Sequence, residues 1–304
     1  MLSLFERMME ILMLNNLKML CGVKIINRRV HSLIAFGVGL YCLILSLTPA
    51  HAETYTVGIV PQQSAVIMAR NWTPLLQYIE KNTGLSLRFK TAPNIPEFEQ
   101  RLAQGEYDFA YMNPYHYVVF SNKPGYRSLV REKDTRLQGV LVVCKDSKIE
   151  NITQLAGKDL AFPAPASFAA SVLPRIELKK KGIAFTPHFV ASHDSVYYTV
   201  ARGIYPAGGG VVRTLNSTPP EIRDQLRVLW TTESFTPHAF AVNPRVTDKV
   251  SQALAQVMTK MIVDPAAAEI LHNLNMKGWD LAADKDWDDL RNLHVDIKDA
   301  PVQQ

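Results

Sequence analysis

Apolar and polar positions along residues 53–304 switch repeatedly between strand-like and helix-like spacing. Tyr55–Val60 has the β-branched and aromatic character of a buried strand, and a proline follows it. Apolar residues then recur at helical spacing over 72–79, and Gly84 is suited to a left-handed helix cap. This order repeats as far as a strand predicted at His238–Val242, beyond which the pattern is helical. We therefore predict an α/β protein with mostly parallel sheets.

The first 52 residues have the pattern of an export signal. Basic residues up to Arg29 precede an uncharged apolar run over 33–47, and Ala50 and Ala52 supply the small residues that a signal peptidase requires. A membrane anchor is the alternative, but the run of 15 residues is shorter than the roughly 20 that span a bilayer. We expect residues 1–52 to be a signal peptide with an extended N-terminus, cleaved after Ala52, and the mature protein to be periplasmic.

Charge and cysteine content exclude several classes of partner. The formal net charge is +5, but residues 1–52 hold five basic and two acidic residues, which leaves 28 basic against 26 acidic residues beyond them. Such a balance does not predict a nucleic-acid partner. Cys144 is the one cysteine after residue 52, and no Cys/His cluster has the spacing of metal ligands. Neither a metal nor a cofactor is predicted.

Polar residues follow four of the predicted strands, in the segments 61–64, 113–115, 163–167 and 192–195. Ligands of open α/β sheets bind beyond the carboxyl ends of strands, where helix N-termini present unpaired N–H groups. Each segment alone is explained by helix capping, and core packing accounts for at least half of the tyrosines nearby. The four together favour an anion or a small polar ligand. The candidate ligand-binding residues from this pattern are Gln63, Ser64, Tyr111, Asn113, Tyr115, Ser167, His193, Asp194 and Ser195.

The sequence gives little indication of a catalytic site. His193, Asp194 and Ser195 are the residue types of a catalytic triad, but adjacent residues at a strand-to-helix turn point in different directions. The chain has no Gly-x-Ser-x-Gly elbow, no phosphate-binding loop with Gly-Lys-Ser/Thr and no His-Glu-x-x-His motif. We do not expect an enzyme.

Four segments in order resemble the periplasmic solute-binding proteins of the phosphate/phosphite/phosphonate ABC transporter group. They read YTVGIVPQQSA, GEYDFAYMNPYHYV, LAGKDLAFPAPASFAASVLPR and SHDSVYYTVARG, and the resemblance covers residues 53 to about 275. It implies a type II periplasmic-binding-protein fold of two lobes, with a ligand cleft between them and two chain crossovers. We place the crossovers near 141–145 and 238–243, so that lobe 1 is 53–140 plus 243–304 and lobe 2 is 141–242.

The resemblance also implies a function. It predicts an extracytoplasmic substrate-binding protein of an ABC transporter, which captures a small phosphorus oxyanion by closure of its lobes. The expected partner is a transporter permease or, alternatively, a sensor kinase, and contact with the membrane would come only through that partner. An enzyme on the same fold is the least favoured alternative.

The resemblance leaves the ligand open. Of the Ser-Thr-Ser run with which some members hold aminoalkylphosphonates, only Ser167 is present, and the Phe168 beside it is expected to fill part of the usual pocket. Arg213 stands near a place where those members carry an acidic group, so it becomes a further candidate ligand-binding residue. An arginine favours an anion without an amine. Phosphate, phosphite, a simple alkylphosphonate or another oxyanion therefore remain possible.

Overall fold

The computed structural model describes residues 53–293, which contain two β-sheets covered by helices. The first sheet has the strand order β11-β4-β10-β3-β1-β2, and the second has the order β7-β6-β8-β5-β9. The predicted signal peptide and its cleavage site lie outside these residues. The strands are β1 (Thr54–Ile59), β2 (Ser86–Lys90), β3 (Phe109–Met112), β4 (Arg127–Glu132), β5 (Leu137–Cys144), β6 (Asp159–Phe162), β7 (Thr186–Phe189), β8 (Ala207–Val211), β9 (Leu226–Phe235), β10 (Ala239–Val242) and β11 (Trp279–Leu281).

Helices connect most of the strands and cover both sheets. The α-helices are α1 (Ala65–Thr83), α2 (Ile95–Ala103), α3 (Pro114–Phe120), α4 (Leu173–Lys180), α5 (His193–Ala201), α6 (Val212–Asn216), α7 (Pro220–Arg223), α8 (Asp248–Lys260), α9 (Ala268–Asn273) and α10 (Asp288–Arg291). A π-helical turn, Phe168–Val172, precedes α4, and short 3-10 turns occur at Ile152–Leu155, Met261–Val263, Pro265–Ala267 and Asp284–Trp287. None of the helices within residues 53–293 combines the length and apolar character needed to cross a lipid bilayer.

Local sequence explains where the helices beside the first three strands begin and end. The Ser64 hydroxyl accepts a hydrogen bond from the Ile67 N–H at the start of α1, and Gly84 ends that helix with φ of 73°. Asn113 caps α3 in the same way, because its side-chain oxygen accepts the His116 N–H at 2.8 Å. These caps direct the helix N-termini toward the ends of β1 and β3.

Both sheets are mixed, so the prediction of mostly parallel sheets is wrong. In the first sheet β1 is parallel to β2 and β3, whereas β10 is antiparallel to β3 and β4. In the second, β6 is parallel to β7 and β8, and β5 is antiparallel to β8 and β9. Two parallel neighbouring strands that follow each other in the chain must be joined by a long connection. The connections that lead into β5 and β10 from the other sheet are only a few residues long.

The chain changes sheets between β4 and β5, at 133–136, and between β9 and β10, at 236–238. The crossovers were predicted near 141–145 and 238–243, and the strands place both changes slightly earlier. The reason is strand length and pairing: β5 begins at Leu137, and the whole of β10 pairs with β3 and β4 in the first sheet.

Two strands were absent from the prediction. The first, β4, has charged residues at both ends, and its burial follows no regular alternation. The second, β11, has only three residues and pairs with β4. The prediction of a wholly helical segment after residue 242 is therefore wrong, because three residues are too few to establish a strand period.

Candidate functional site

A narrow cavity is lined by residues that belong to both sheets and their flanking loops. Its wall on one side comes from the loop after β1, the starts of α2 and α3 and the residue before β10, and on the other from β5, β8, the π-helical turn and the start of α5. None of the lining residues found in the described chain is Asp, Glu, Lys or Arg. They are Val60, Gln62, Ile95, Asn113, Leu137, Ser167, Phe168, Ala169, Ala170, His193, Val211 and His238.

The π-helical turn contributes residues 168–170 to the wall of this cavity. The Ser167 carbonyl accepts the N–H groups of Ser171, at 2.7 Å, and of Val172, at 3.1 Å. Within residues 53–293, no hydrogen-bond acceptor is found for the N–H groups of 168–170. These three groups are the unpaired donors that the start of any helix leaves open. Together with the positive end of the helix dipole they form an arrangement that favours an anion.

Glycines of β5 and β8 allow the carbonyl groups of this turn to approach the two strands closely. A Cβ atom on Gly139 of β5 would lie 1.9 Å from the Ala169 carbonyl oxygen, and one on Gly209 of β8 would lie 1.9 Å from that of Ala170. On the other face of β8, a Cβ on Gly210 would lie 2.3 Å from the Tyr197 hydroxyl. Only glycine permits this packing on both faces of the strand.

A chain of hydrogen bonds runs from Ser167 into the second-sheet core. The Ser167 hydroxyl lies 3.3 Å from His193 Nε2, and His193 Nδ1 lies 3.0 Å from the Thr214 hydroxyl. Thr214 in turn contacts the Tyr197 hydroxyl at 2.7 Å. Burial lowers the pKa of His193 to about 3, and Arg213 lowers it further. His193 is therefore a neutral imidazole at neutral pH, and its Nδ1 faces a hydroxyl rather than the carboxylate of a catalytic triad.

The opposite wall also carries neutral polar groups. His238 Nε2 lies 3.3 Å from the side-chain nitrogen of Gln62, and its ring stacks on Tyr111 with centroids 4.9 Å apart. Burial lowers the pKa of His238 well below its usual value, and Arg213 contributes in the same direction. Asn113 donates from Nδ2 to the Ala166 carbonyl at 3.1 Å and thereby joins the two walls.

Further contacts join the walls at the edge of the cavity. The Asp194 carboxylate accepts the Ser64 N–H at 3.1 Å and a hydrogen bond from Gln63 Nε2 at 3.3 Å. Burial raises the pKa of Asp194, although these two donors oppose that rise. The His193 N–H donates to the Gln62 carbonyl at 3.0 Å.

Arg213 lies beside the cavity and not in its wall. Its Nη1 donates to Glu132 Oε2 at 2.8 Å, and its Nη2 donates to the Tyr111 hydroxyl at 2.8 Å. The Glu132 side chain is 6% exposed and that of Arg213 is 20% exposed. The guanidinium is thus paired with a carboxylate of the first sheet, although its charge still lowers the pKa values of His193 and His238.

The candidate residues predicted from the sequence fall into distinct places. Asn113, Ser167 and His193 line the cavity. Gln63, Ser64 and Asp194 join at its edge, and Tyr111 contacts Arg213 beside it. Two predicted residues lie elsewhere: Tyr115 packs in an apolar cluster with Leu137 and Phe168, and the Ser195 hydroxyl contacts that of Ser192 at the start of α5.

Two polar residues that line the cavity, Gln62 and His238, were not among the predicted candidates. Gln62 stands in the same loop as Gln63, so the loop was recognised but not the side chain that faces inward. His238 was predicted as the first residue of a strand, which gave no indication of a site; in the structure it directly precedes β10.

A family described as "ABC transporter, phosphonate, periplasmic substrate-binding protein" matches residues 57–287. The chain belongs to this family. The resemblance inferred from the sequence is confirmed, and so are the type II two-lobed fold and the role of substrate-binding component of an ABC transporter. The family's description is that of a periplasmic substrate-binding protein.

Individual members are similar over most of the chain. The phosphate-import protein PhnD of Mycolicibacterium smegmatis is 24% identical over 67% of this chain and 72% of its own. A binding component of a phosphonate ABC transporter from Pseudomonas aeruginosa has a TM-score of 0.74 at 16% identity, over 83% of this chain and 91% of its own. PhnD1 of Prochlorococcus marinus, in complex with methylphosphonate, has a TM-score of 0.71 at 17% identity, over 80% and 97%. Both solved structures share the fold.

Proposed function

We propose that the protein captures a small phosphorus oxyanion, such as a phosphonate, phosphite or phosphate, in the cavity between its sheets. The observation that carries the proposal is the cavity beside Ser167 and His193, whose lining includes residues 168–170, and among residues 53–293 no acceptor is found for the N–H groups of these three residues. Unpaired N–H groups at the start of a helix favour the oxygens of an anion. One relative is named for phosphate import, and one neighbouring structure holds methylphosphonate.

We further propose that each sheet with its helices forms one lobe, with the boundaries at 133–136 and 236–238. A ligand that contacts both walls of the cavity favours the closed arrangement, because it binds that arrangement more tightly than the open one. The closed lobes would then be recognised by the permease of the transporter. The site fits binding without chemical conversion of the ligand, because His193 Nδ1 contacts the Thr214 hydroxyl and not the carboxylate that a catalytic triad needs.

Export is part of the same proposal. A phosphorus oxyanion outside the cytoplasmic membrane is reached only by an exported protein, and the pattern of residues 1–52 predicts cleavage after Ala52. N-terminal sequencing of protein recovered from the periplasm tests this point, with Glu53 expected as the first residue.

The binding proposal is tested with protein purified from the periplasm. Mass spectrometry should identify a small phosphorus oxyanion retained by the protein, and calorimetric titration should rank phosphate, phosphite and methylphosphonate. Ser167→Ala should weaken binding about tenfold, since the backbone donors remain. Ser86→Ala, on the outer strand β2, is the matched control and should bind as the parent does. Absence of binding by all three anions, or chemical conversion of the bound anion, would contradict the proposal.

A further inference from the structure

One arginine side chain contacts both ends of a segment of the cavity wall. Arg175, in α4, donates a hydrogen bond from Nη2 to the Pro165 carbonyl at 2.8 Å. Its Nε lies 3.1 Å from the Ser171 hydroxyl oxygen and 3.3 Å from the Ser171 carbonyl oxygen, which share the one N–H. The same guanidinium therefore joins the loop before the π-helical turn to the turn itself.

The residues between these two anchors make the segment part of the binding site. Ser167 and residues 168–170 line the cavity. Ala166, the remaining residue between the anchors, accepts a hydrogen bond from Asn113 Nδ2 of the opposite wall at 3.1 Å. A displacement of the segment would therefore move the lining residues and the contact between the two walls together.

Backbone hydrogen bonds are sparse in the first part of this segment. Pro163 and Pro165 have no N–H group to donate. The Ser167 N–H donates to the Ala164 carbonyl at 3.3 Å, which is longer than the usual N–H···O bond. The contact of Arg175 with Pro165 thus adds an anchor where the backbone provides few.

An aromatic ring orients the guanidinium. The Cζ atom of Arg175 lies 5.6 Å from the centre of the Phe189 ring, at the end of β7, which is within the range of a cation–π interaction. The planar guanidinium is thereby held by a ring and by two hydrogen-bonding residues at once. A lysine ammonium has neither the plane nor the fork of donors that these contacts use.

We propose that Arg175 is a positioning residue for ligand binding. Its guanidinium ties Pro165 to Ser171. In this way it holds Ser167 and residues 168–170 in the cavity wall, and it acts through this segment without contacting the ligand. This inference rests on the proposed function and extends it to a residue outside the cavity lining. The effect depends on the geometry of the guanidinium and not on its charge alone.

Calorimetric titration with methylphosphonate tests the inference on two variants of this residue. Arg175→Lys keeps the charge but loses the fork, whereas Arg175→Gln loses both. We expect both variants to bind about tenfold more weakly than the parent. This ratio should be the same at low and high salt, because salt screens a long-range charge but not a lost anchor.

The matched control is Arg202, an exposed residue directly after α5. Its guanidinium also lies over an aromatic ring, that of Tyr198, at 5.9 Å. Arg202→Lys and Arg202→Gln make the same changes of charge and shape away from the segment, and both should bind methylphosphonate as the parent does.

Hydrogen exchange of the ligand-free protein separates positioning from general destabilisation. The N–H groups of Ser171 and Val172 are bonded to the Ser167 carbonyl, and in Arg175→Lys they should exchange at least about tenfold faster than in the parent. Amides of β1 and β3 should change less, since a general loss of stability would raise exchange in both sheets alike. If Arg175→Lys does not fold by circular dichroism, Ser171→Ala replaces it in the titration. That variant removes one acceptor, keeps the arginine and should bind about threefold more weakly.

The outcomes separate this inference from the proposed function. Parent-like affinity or parent-like exchange of Arg175→Lys would overturn the positioning role and leave the proposed function intact, as would parent-like affinity of Ser171→Ala where it is the variant used. A loss confined to Arg175→Gln would assign the effect to charge and would overturn the positioning role as well. Absence of binding of phosphate, phosphite and methylphosphonate by the parent would overturn the proposed function and this inference with it.

Discussion

The guanidinium of Arg213 donates a hydrogen bond to the carboxylate of Glu132 at 2.8 Å, and this ion pair joins the two sheets. Glu132 is the last residue of β4, whereas Arg213 lies in α6, directly after β8. Burial lowers the pKa of Arg213, but the neighbouring Tyr111 and Glu132 more than compensate, so its pKa is raised overall. The Arg213 guanidinium therefore remains charged at neutral pH.

Removal of one partner of this pair should destabilise the fold. Arg213→Ala leaves the carboxylate of Glu132 buried without its cation, which we expect to lower the free energy of unfolding by about 2 to 4 kcal/mol. Arg127→Ala breaks the ion pair between Arg127 and Asp248, in which the two side chains are 50% and 69% exposed. This change should lower the free energy of unfolding by less than about 1 kcal/mol. Urea unfolding of both variants measures the difference. Equal losses would show that the Arg213 pair behaves like a surface ion pair.

Much of the fold could be predicted because local patterns determine it. Apolar runs located β1, β3 and β10, and Gly84 marked the end of α1 by its left-handed conformation. Strand pairing is not local, however. The antiparallel placement of β5 and β10 depends on which sheet each strand joins, and the spacing of apolar residues carries no information on that choice.

Three of the predicted candidates, Asn113, Ser167 and His193, line the cavity, and each stands where a helix begins after a strand. Arg213 was chosen as a residue that neutralises the ligand, but Glu132, with which it pairs, lies 81 positions away. No spacing rule relates two residues that meet only when the sheets come together. His238 was missed because its place in the wall depends on contacts with Gln62 and Tyr111, more than 120 positions away in the sequence.

Gly209→Ala should abolish tight binding while the protein stays folded. The added Cβ would lie 1.9 Å from the Ala170 carbonyl oxygen, so the π-helical turn must shift and its N–H groups lose their alignment. We expect affinity for the preferred oxyanion to fall more than about tenfold, since each N–H bond to an anion contributes about 1.5 to 3 kcal/mol.

The matched control is Gly203→Ala. That glycine has φ of 70° and open space around its Cβ position, so the change costs about 1 to 2 kcal/mol in backbone strain without touching the cavity. Titration calorimetry should find its affinity unchanged. Parent-like affinity of Gly209→Ala would mean that the turn does not depend on this close approach.

Stability should decrease with acidity because of the buried histidines. Burial lowers the pKa of His193 to about 3, whereas the unfolded chain has a value near 6.5. Between these two pH values His193 is protonated in the unfolded state but not in the folded state. The free energy of unfolding therefore decreases as the pH falls from about 6.5. The loss is at most about 1.4 kcal/mol per pH unit for this residue.

Urea unfolding at pH 7 and pH 4.5 should show that His193→Gln loses less stability on acidification than the parent. His272→Gln, at an exposed position in α9, should lose as much as the parent. An unchanged pH dependence in His193→Gln would contradict a neutral, buried His193.

Asp194→Ala should weaken ligand binding without affecting the cavity wall directly. Its carboxylate accepts the Ser64 N–H at 3.1 Å at the start of α1, a helix of 19 residues in the first-sheet half, although Asp194 itself belongs to α5. A carboxylate is favoured at a helix N-terminus, and this contact breaks if the lobes separate. Since a charge-assisted hydrogen bond contributes about 1.5 to 3 kcal/mol, closure should become less favourable and affinity should fall about tenfold or more, mainly through faster dissociation.

Ser195→Ala is the control, because the Ser195 hydroxyl bonds to Ser192 within its own helix start. Stopped-flow dissociation rates and small-angle scattering, with and without ligand, compare the two variants. Equal rates and equal radii would show that Asp194 does not hold the lobes together.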